Sequence, residues 1–284
     1  MTSAEPAVPI DIQQPLADIA AWTACFRSAE IPVLRQTAET LEALRANEDQ
    51  TDANSIGEMI AGDPLMTLKV LAYAADHRGR QVVTGIETVT SALVMTGISP
   101  FFRAFPVQPT VEDRLRIHPR AMAGIKGVLR RAHRGADLAL GFAVHRTAPN
   151  AAAIHAAGLL HEFAELLLWV HAPTLALQIL KAQQDSPTLR STAVQREVLR
   201  IELPDLQAAL VSSWKLPTLL SQSQGESPSS NAGTRTVELA AKLARHTSNG
   251  WDNPAVPDDI RDVAALLNLS PAAALHLAMG IAPN

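Results

Sequence analysis

The sequence predicts an all-α protein in two lobes, with additional helices at its C-terminal end. Three observations carry this. Aromatic residues make up only 4% of the 284 residues while hydrophobic residues reach 47%. Ala and Leu must therefore fill the core, and they are the strongest helix formers. Apolar residues recur at helical spacing along most of the chain, and no useful stretch has the alternation of a strand. Helix-start signals recur, the strongest being Asp63-Pro64, where Asp caps free N–H groups and Pro takes the first helical position. With 18% charged residues the composition is globular, and a chain this long buries roughly three quarters of its unfolded surface.

Residues 1–9 read as a tail. A first helix is predicted from about Ile10 to Ser28, with Pro15 near its start, and Ile31-Pro32 opens a new segment. Val33–Asn47 places Leu34, Ala38, Leu41 and Leu44 at helical spacing, and a short helix covers Ser55–Ala61. Asp63-Pro64 starts the next, to Ala75, with Leu65, Leu68, Leu71 and Ala72 on one face. HRGRQVV, residues 77–83, breaks the pattern. Thr84-Gly85-Ile86-Glu87 reads as a capping box for Ile86–Thr96, and Ser99-Pro100 starts another helix. Phe105–Val111, with Pro106 and Pro109, reads as the junction between lobes.

The second lobe begins in basic sequence, with a long helix predicted from Pro119 to Val144. The loop RTAPN leads to a central helix over 151–171. Pro173 starts the next, to about Gln184; Ser191–Ile201 and Pro204–Trp214 follow, and Leu216-Pro217 stops the run, with Trp214 expected to fill the core. SQSQGESPSSNAG, residues 221–233, reads as a flexible polar loop. Two or three short helices finish the chain, the last begun by Ser270-Pro271. The predicted organisation is 1–30 as tail and first helix, 31–110 as the N-terminal lobe, 111–220 as the second lobe, and 221–284 as loop and C-terminal helices.

The formal charge of −4 gives no general case for nucleic acid. Cys25 is the single cysteine, which excludes a disulfide within the chain and a cysteine-based zinc site. No motif around Cys25 suggests reactivity. The start, MTSAEPAVPIDIQQP, has neither the basic nor the apolar region of a signal peptide. No run of 18 apolar residues is unbroken. The expected location is the cytoplasm, with no membrane partner.

AGLLHEFAELLLW, residues 157–169, is the most apolar helical stretch, interrupted by His161 and Glu162. It offers no wide polar face to water, so it belongs inside. A buried imidazole and carboxylate need partners, because leaving one unpaired costs about 1–3 kcal/mol. HEFAE also differs by one residue from the zinc-protease pattern H-E-x-x-H, with His161 and Glu165 at i,i+4 and Glu162 as the base. No third ligand is identifiable. His118, His145, His155 and His171 read as helix-surface or satisfied core residues.

The order of signals resembles the HDOD domain, a noncatalytic-looking relative of the HD phosphohydrolases found in bacterial signalling proteins. The resemblance covers about residues 27–220. It rests on Ile31-Pro32, Asp63-Pro64, Val83-Thr84-Gly85-Ile86-Glu87, and most strongly Ala157-Gly158-Leu159-Leu160-His161-Glu162, where the family has A/G-G-L-L-H-D. Glu197 and Trp214-Lys215-Leu216-Pro217 complete it. The chain departs from the family at Tyr73-Ala74-Ala75, at Phe163-Ala164-Glu165, and at Arg200-Ile201-Glu202-Leu203, where a His is lost. The Asp of the His-Asp step is Glu162.

The resemblance implies what an active HD enzyme would need: a His, a His-Asp pair and a distant Asp, holding divalent metal that activates water against a phosphoester. By position, His133 is the candidate first His, and His161 and Glu162 the candidate pair. Glu for Asp displaces the carboxylate, whereas catalytic positions tolerate roughly 0.5 Å. Neither Glu202 nor Asp205 sits in a recognisable motif for the last ligand. The expectation is a remnant site with no metal, no cofactor and no catalysis.

Between Asp113 and Asp137 no acidic residue occurs, while Arg114, Arg116, Arg120, Lys126, Arg130, Arg131 and Arg134 do. Lys126, Arg130 and Arg134 fall at i, i+4, i+8, and like charges there repel by about 0.2–0.5 kcal/mol per pair. Either acids from other helices neutralise them, or they face an anionic partner. Lys126, Arg130, Arg131 and Arg134 are the expected partner-binding residues. The expected function is a noncatalytic signalling or regulatory module that contacts another signalling protein. The alternative is a metal-dependent HD phosphohydrolase acting on a nucleotide or phosphodiester. Pairing of the chain with itself stays open.

Overall fold

Seven of the described α-helices begin where a side chain holds free N–H groups of the first turn. The computed structural model describes residues 11–77, 86–186, 189–217, 219–220 and 231–283. Asp18 caps α1 (Ile19–Ser28), later than the Ile10 start predicted, because the Asp18 carboxylate accepts from Ala21 N–H. Next come α2 (Arg35–Ala46) and α3 (Ala53–Ile60), the latter capped by Asp52. Asp63 caps α4 (Pro64–Asp76), as Asp-Pro predicts. This Asp is fully buried and also accepts from Leu34 N–H at 2.7 Å, so one carboxylate ties the start of α2 to the start of α4.

The helix predicted at Ile86 begins three residues later. α5 (Val89–Thr96) is opened by a capping box between Thr88 and Ser91, and Ile86 and Glu87 precede it. Thr84 and Gly85 lie outside the described residues, as do the predicted tail, most of HRGRQVV, and residues 221–230 of the polar loop. Gly97, at φ +86°, turns the chain directly from α5 into α6 (Ile98–Ala104), so the helix expected to start at Ser99-Pro100 begins two residues before Pro100.

The junction segment leads into α7 (Val111–Arg114). Val33 forms an isolated bridge with Thr110 there, and Arg35 pairs with Asp113 at 2.8 Å. α8 (Pro119–His145) is the 27-residue spine. The predicted central helix is two helices, α9 (Ala151–Leu159) and α10 (Phe163–His171), with a turn at Leu160, His161 and Glu162. Then come α11 (Pro173–Asp185), α12 (Ser191–Leu199) and α13 (Leu203–Ser213). Arg200 ends α12 in the left-handed region at φ +64°. Three C-terminal helices follow: α14 (Ala232–His246), α15 (Val256–Leu267) and α16 (Pro271–Ile281). The first is 15 residues long and not short, and the last starts at Ser270-Pro271 as predicted.

The architecture is all-α in two helical groups, with no named strand among the described residues. α2 to α6 pack on one another; α9, α10, α11, α14 and α16 pack on α8; α1 packs on α13; and α4 meets α10. One continuous apolar core runs through both groups, from Ile12 to Ala282. Trp22, fully buried, donates from Nε1 to Leu199 O at 3.3 Å, which anchors α1. The span Ala151–His171 has the length and mean hydropathy of a membrane helix, but most of it is buried in the core and it is broken in the middle.

Candidate functional site

Two helix ends and a buried glutamine make the turn that carries His161 and Glu162. Gln207, 2% exposed on α13, accepts from Ala164 N–H at 3.2 Å, and its amide donates to His161 O. Both backbone groups are freed by the break, so a single side chain replaces two helical hydrogen bonds. Gln207 falls on the apolar face marked by Leu203, Leu206 and Leu210, and a polar residue on such a face is the signal that could have singled it out.

The Glu162 carboxylate is held by two guanidinium groups. Arg131 donates from Nε to Oε2 at 3.1 Å, and Arg245 from Nε and Nη2 to Oε1 at 3.1 and 2.7 Å. Arg131 also donates to Glu165 at 2.7 Å. Two carboxylates and two guanidiniums thus close into a neutral network. The Glu162 and Arg131 side chains are only 15% and 22% exposed, while Arg245 lies over them at 56%. Burial by itself would raise the Glu162 carboxyl, but Arg245, Arg131 and His161 together outweigh it and hold it down at about 2. Burial pushes the Glu165 carboxyl up, against the pull of Arg131. Burial lowers His161 to about 4, so the ring is neutral at neutral pH, with Nδ1 covered and unpartnered. Arg245 belongs to α14, and nothing in its sequence surroundings marks it.

His133 does not join this cluster. Its Nδ1 lies 2.8 Å from Leu129 O and its Nε2 2.7 Å from Gly62 O, which ties α8 to the turn before α4. Among the described residues no group of three His, Cys, Asp or Glu side chains converges to hold an ion. The i,i+4 relation between His161 and Glu165 is also lost, because the helix breaks between them. Glu202 pairs with Arg196, and Asp205 sits in the first turn of α13. His118 precedes α8, His145 is exposed at its end, His155 is half-buried, and His171 is 2% exposed against the Phe26 ring. Trp214 is half-buried, its ring 6.1 Å from that of Phe163. Burial raises the Cys25 thiol.

The four basic candidates divide. Lys126 and Arg130 are exposed. Arg131 is the half-buried centre of the network above. Arg134 donates to Thr247 Oγ1 and to Pro283 O, both at 2.8 Å, and its guanidinium lies 5.2 Å over the Trp251 ring. The single stripe expected at Lys126, Arg130 and Arg134 is therefore an exposed pair and an arginine bound to the C-terminal segment. The reason is α14 and the loop after it, which cover one flank of α8.

A two-group helical scaffold with a His-Glu step at a break beside its spine defines a helical domain of the HD-like class. The HDOD domain family model matches residues 31–227, and the chain belongs to that family. The solved structure of the response regulator MmoQ from Methylococcus capsulatus is similar at a TM-score of 0.65 and 18% identity, covering 88% of this chain and 98% of that one. That of a virulence factor from Campylobacter jejuni is similar at 0.65 and 14%, covering 94% and 95%. At these identities the likeness is one of fold. No curated protein sequence matches the chain.

Proposed function

We propose that this HDOD protein is a noncatalytic signalling or regulatory module that acts through contacts with another protein. One observation carries the reading: the carboxylate at the His-Asp position is already neutralised by Arg131 and Arg245. A divalent ion there would have to displace guanidinium groups from a network that is satisfied without it. Glu162 is the wrong length for the family's ligand, and His133 is turned to backbone carbonyls. What remains is a scaffold, with Lys126 and Arg130 exposed as an edge for an anionic partner surface. Rim charges of this kind set association rate and salt dependence more than stability. That MmoQ is a response regulator accords with a signalling role.

The test is protein purified without chelator, analysed for metal and assayed on a phosphodiester with added Mn²⁺. The expected result is no stoichiometric Mn, Fe or Zn and no hydrolysis. A stoichiometric metal that disappears in a folded His161→Ala variant, or hydrolysis that does, would establish the HD phosphohydrolase instead.

A further inference from the structure

Three cations share the outer face of α8 with two small residues. Each residue of a helix is turned by about 100° from the last, so Arg120, Ala123, Lys126, Gly127 and Arg130 fall within about one third of the circumference. Gly127 is half-buried and the other four are exposed. Among the described residues no ion pair involves Arg120, Lys126 or Arg130. Arg131, on the flank of the same helix, holds two carboxylates instead. The face is also short, about 15 Å from Arg120 to Arg130. Beyond it on one side Arg134 is bound to the C-terminal segment and Asp137 is exposed; on the other, Arg116 acts on the Asp113 carboxylate.

Gly127 is the second observation. A glycine inside a helix costs about 1 kcal/mol against alanine. Two other glycines of α8 are explained by packing: a Cβ on Gly124 would run into the Trp169 ring, and one on Gly141 into Ile281. A Cβ on Gly127 would meet nothing of this chain but the end of Arg130, at 3.9 Å. The space over it is open.

We propose that this face is the docking site of an acidic helix of the partner protein. That helix lies along α8 over Ala123 and Gly127 and sets carboxylates against Arg120, Lys126 and Arg130. The proposal rests on the reading of the Lys126–Arg130 edge as a contact surface and names what covers it. Unpaired cations with no acid among them call for an acidic occupant. The small residues between them let a second backbone come close, as glycine does wherever chains cross, and packed helix axes stand only about 8–10 Å apart. Lys126 and Arg130 are one turn apart, and Arg120 lies about 9 Å before Lys126 along the axis. Glutamates four residues apart on the partner helix, with a third six residues beyond, match them. Duplex nucleic acid would run past both ends of so short a face towards Asp113 and Asp137, and its phosphates have no use for an open glycine.

The experiment is fluorescence anisotropy of the full chain with a labelled alanine-based helix of about 20 residues carrying glutamates at that spacing. A version with lysines for the glutamates, a DNA duplex and phosphatidylglycerol vesicles are the competing probes. Three variants join it, each checked by circular dichroism: Arg120→Glu with Arg130→Glu, Gly127→Leu, and Arg103→Glu, an exposed arginine of α6 as reference. The glutamate helix should bind saturably and more weakly as salt rises. The double reversal should weaken it by about tenfold or more and gain binding of the lysine helix. Gly127→Leu should also weaken it, with no loss of melting temperature, and Arg103→Glu should leave it unchanged. A glutamate helix that does not bind overturns the proposal, as does one indifferent to the double reversal or to Gly127→Leu. Tighter binding of the duplex or the vesicles through Arg120 and Arg130 would overturn it too, by giving the face another anionic partner. Metal analysis reads the noncatalytic assignment separately, so either can fail alone.

Discussion

A neutral imidazole packed inside a protein becomes a liability in acid. His161 titrates at about 4 when folded, against roughly 6.5 for an unfolded chain. Between those values the unfolded ensemble binds more protons than the folded one. The stability His161 contributes is therefore complete above about pH 6.5 and is lost as pH falls towards 4, at most about 3 kcal/mol in all. Glu162 adds a second loss below about pH 4.3, because its folded value is depressed. Urea unfolding of wild type and His161→Gln at pH 7, 5.5 and 4.5 isolates the first effect. The gap between the two proteins should change by a kcal/mol or more across that range; a constant gap would mean the ring is solvated. The basic residues separate just as clearly. Arg134→Ala should cost about 1–3 kcal/mol, since two hydrogen bonds and the Trp251 contact go. Lys126→Ala and Arg130→Ala should stay within about 0.5 kcal/mol. Equal losses in all three, by chemical denaturation, would put the exposed pair inside an unrecognised structural contact.

At the level of whole helices, closeness between backbones decides what a position tolerates. Gly158 lets α9 cross α8: a Cβ there would stand 3.1 Å from Ala136 Cα and Ala139 Cβ and 3.2 Å from Gly135 O. Gly158→Leu should destabilise by about 1–3 kcal/mol or more, since backbone cannot move aside as a flexible side chain can. Gly127, on the same spine, has only the end of Arg130 within reach, at 3.9 Å. Gly127→Ala should stabilise by about 0.5–1 kcal/mol through helix propensity. Opposite shifts in melting temperature check both, and a shift of the same sign in both would contradict the crossing. Helix starts were legible to unequal degrees for a related reason. Asp63-Pro64 and Ser270-Pro271 each combine a cap with a residue that cannot sit deeper in a helix. Before α5, the Ser/Thr-x-x-Glu signature marks Thr84 to Glu87, whereas the helix opens with a box between Thr88 and Ser91, which lacks the Glu or Gln of that signature.

For the molecule as a whole, the C-terminal helices are part of the core, although the family match ends at residue 227. α14 buries Val237, Leu239, Ala240 and Leu243 and sends Arg245 to Glu162. A chain ending at residue 230 would expose the flank of α8 and leave Glu162 with Arg131 alone. It should lose cooperative thermal unfolding and be cut by protease along α8 and α9. A truncated protein that still melts cooperatively would make α14 to α16 an independent appendage.

Helical class, the Asp-Pro start, the long spine from Pro119 and the family's motif order were readable from residues, because propensity, capping and periodicity act within a few positions. The surroundings of His161 and Glu162 were not. An apolar run with one period looks like one helix, and the side chain that bonds the backbone groups freed at the break, Gln207, lies 43 and 46 residues away from them. Lys126, Arg130 and Arg134 look like one surface stripe. Which of them faces water was set by α14, more than a hundred residues later, whose packing covers one flank of α8 and brings Arg245 to the carboxylate. Charge pairing across that distance leaves no local mark, since the cost of burying Glu162 is offset by groups that only the fold brings near.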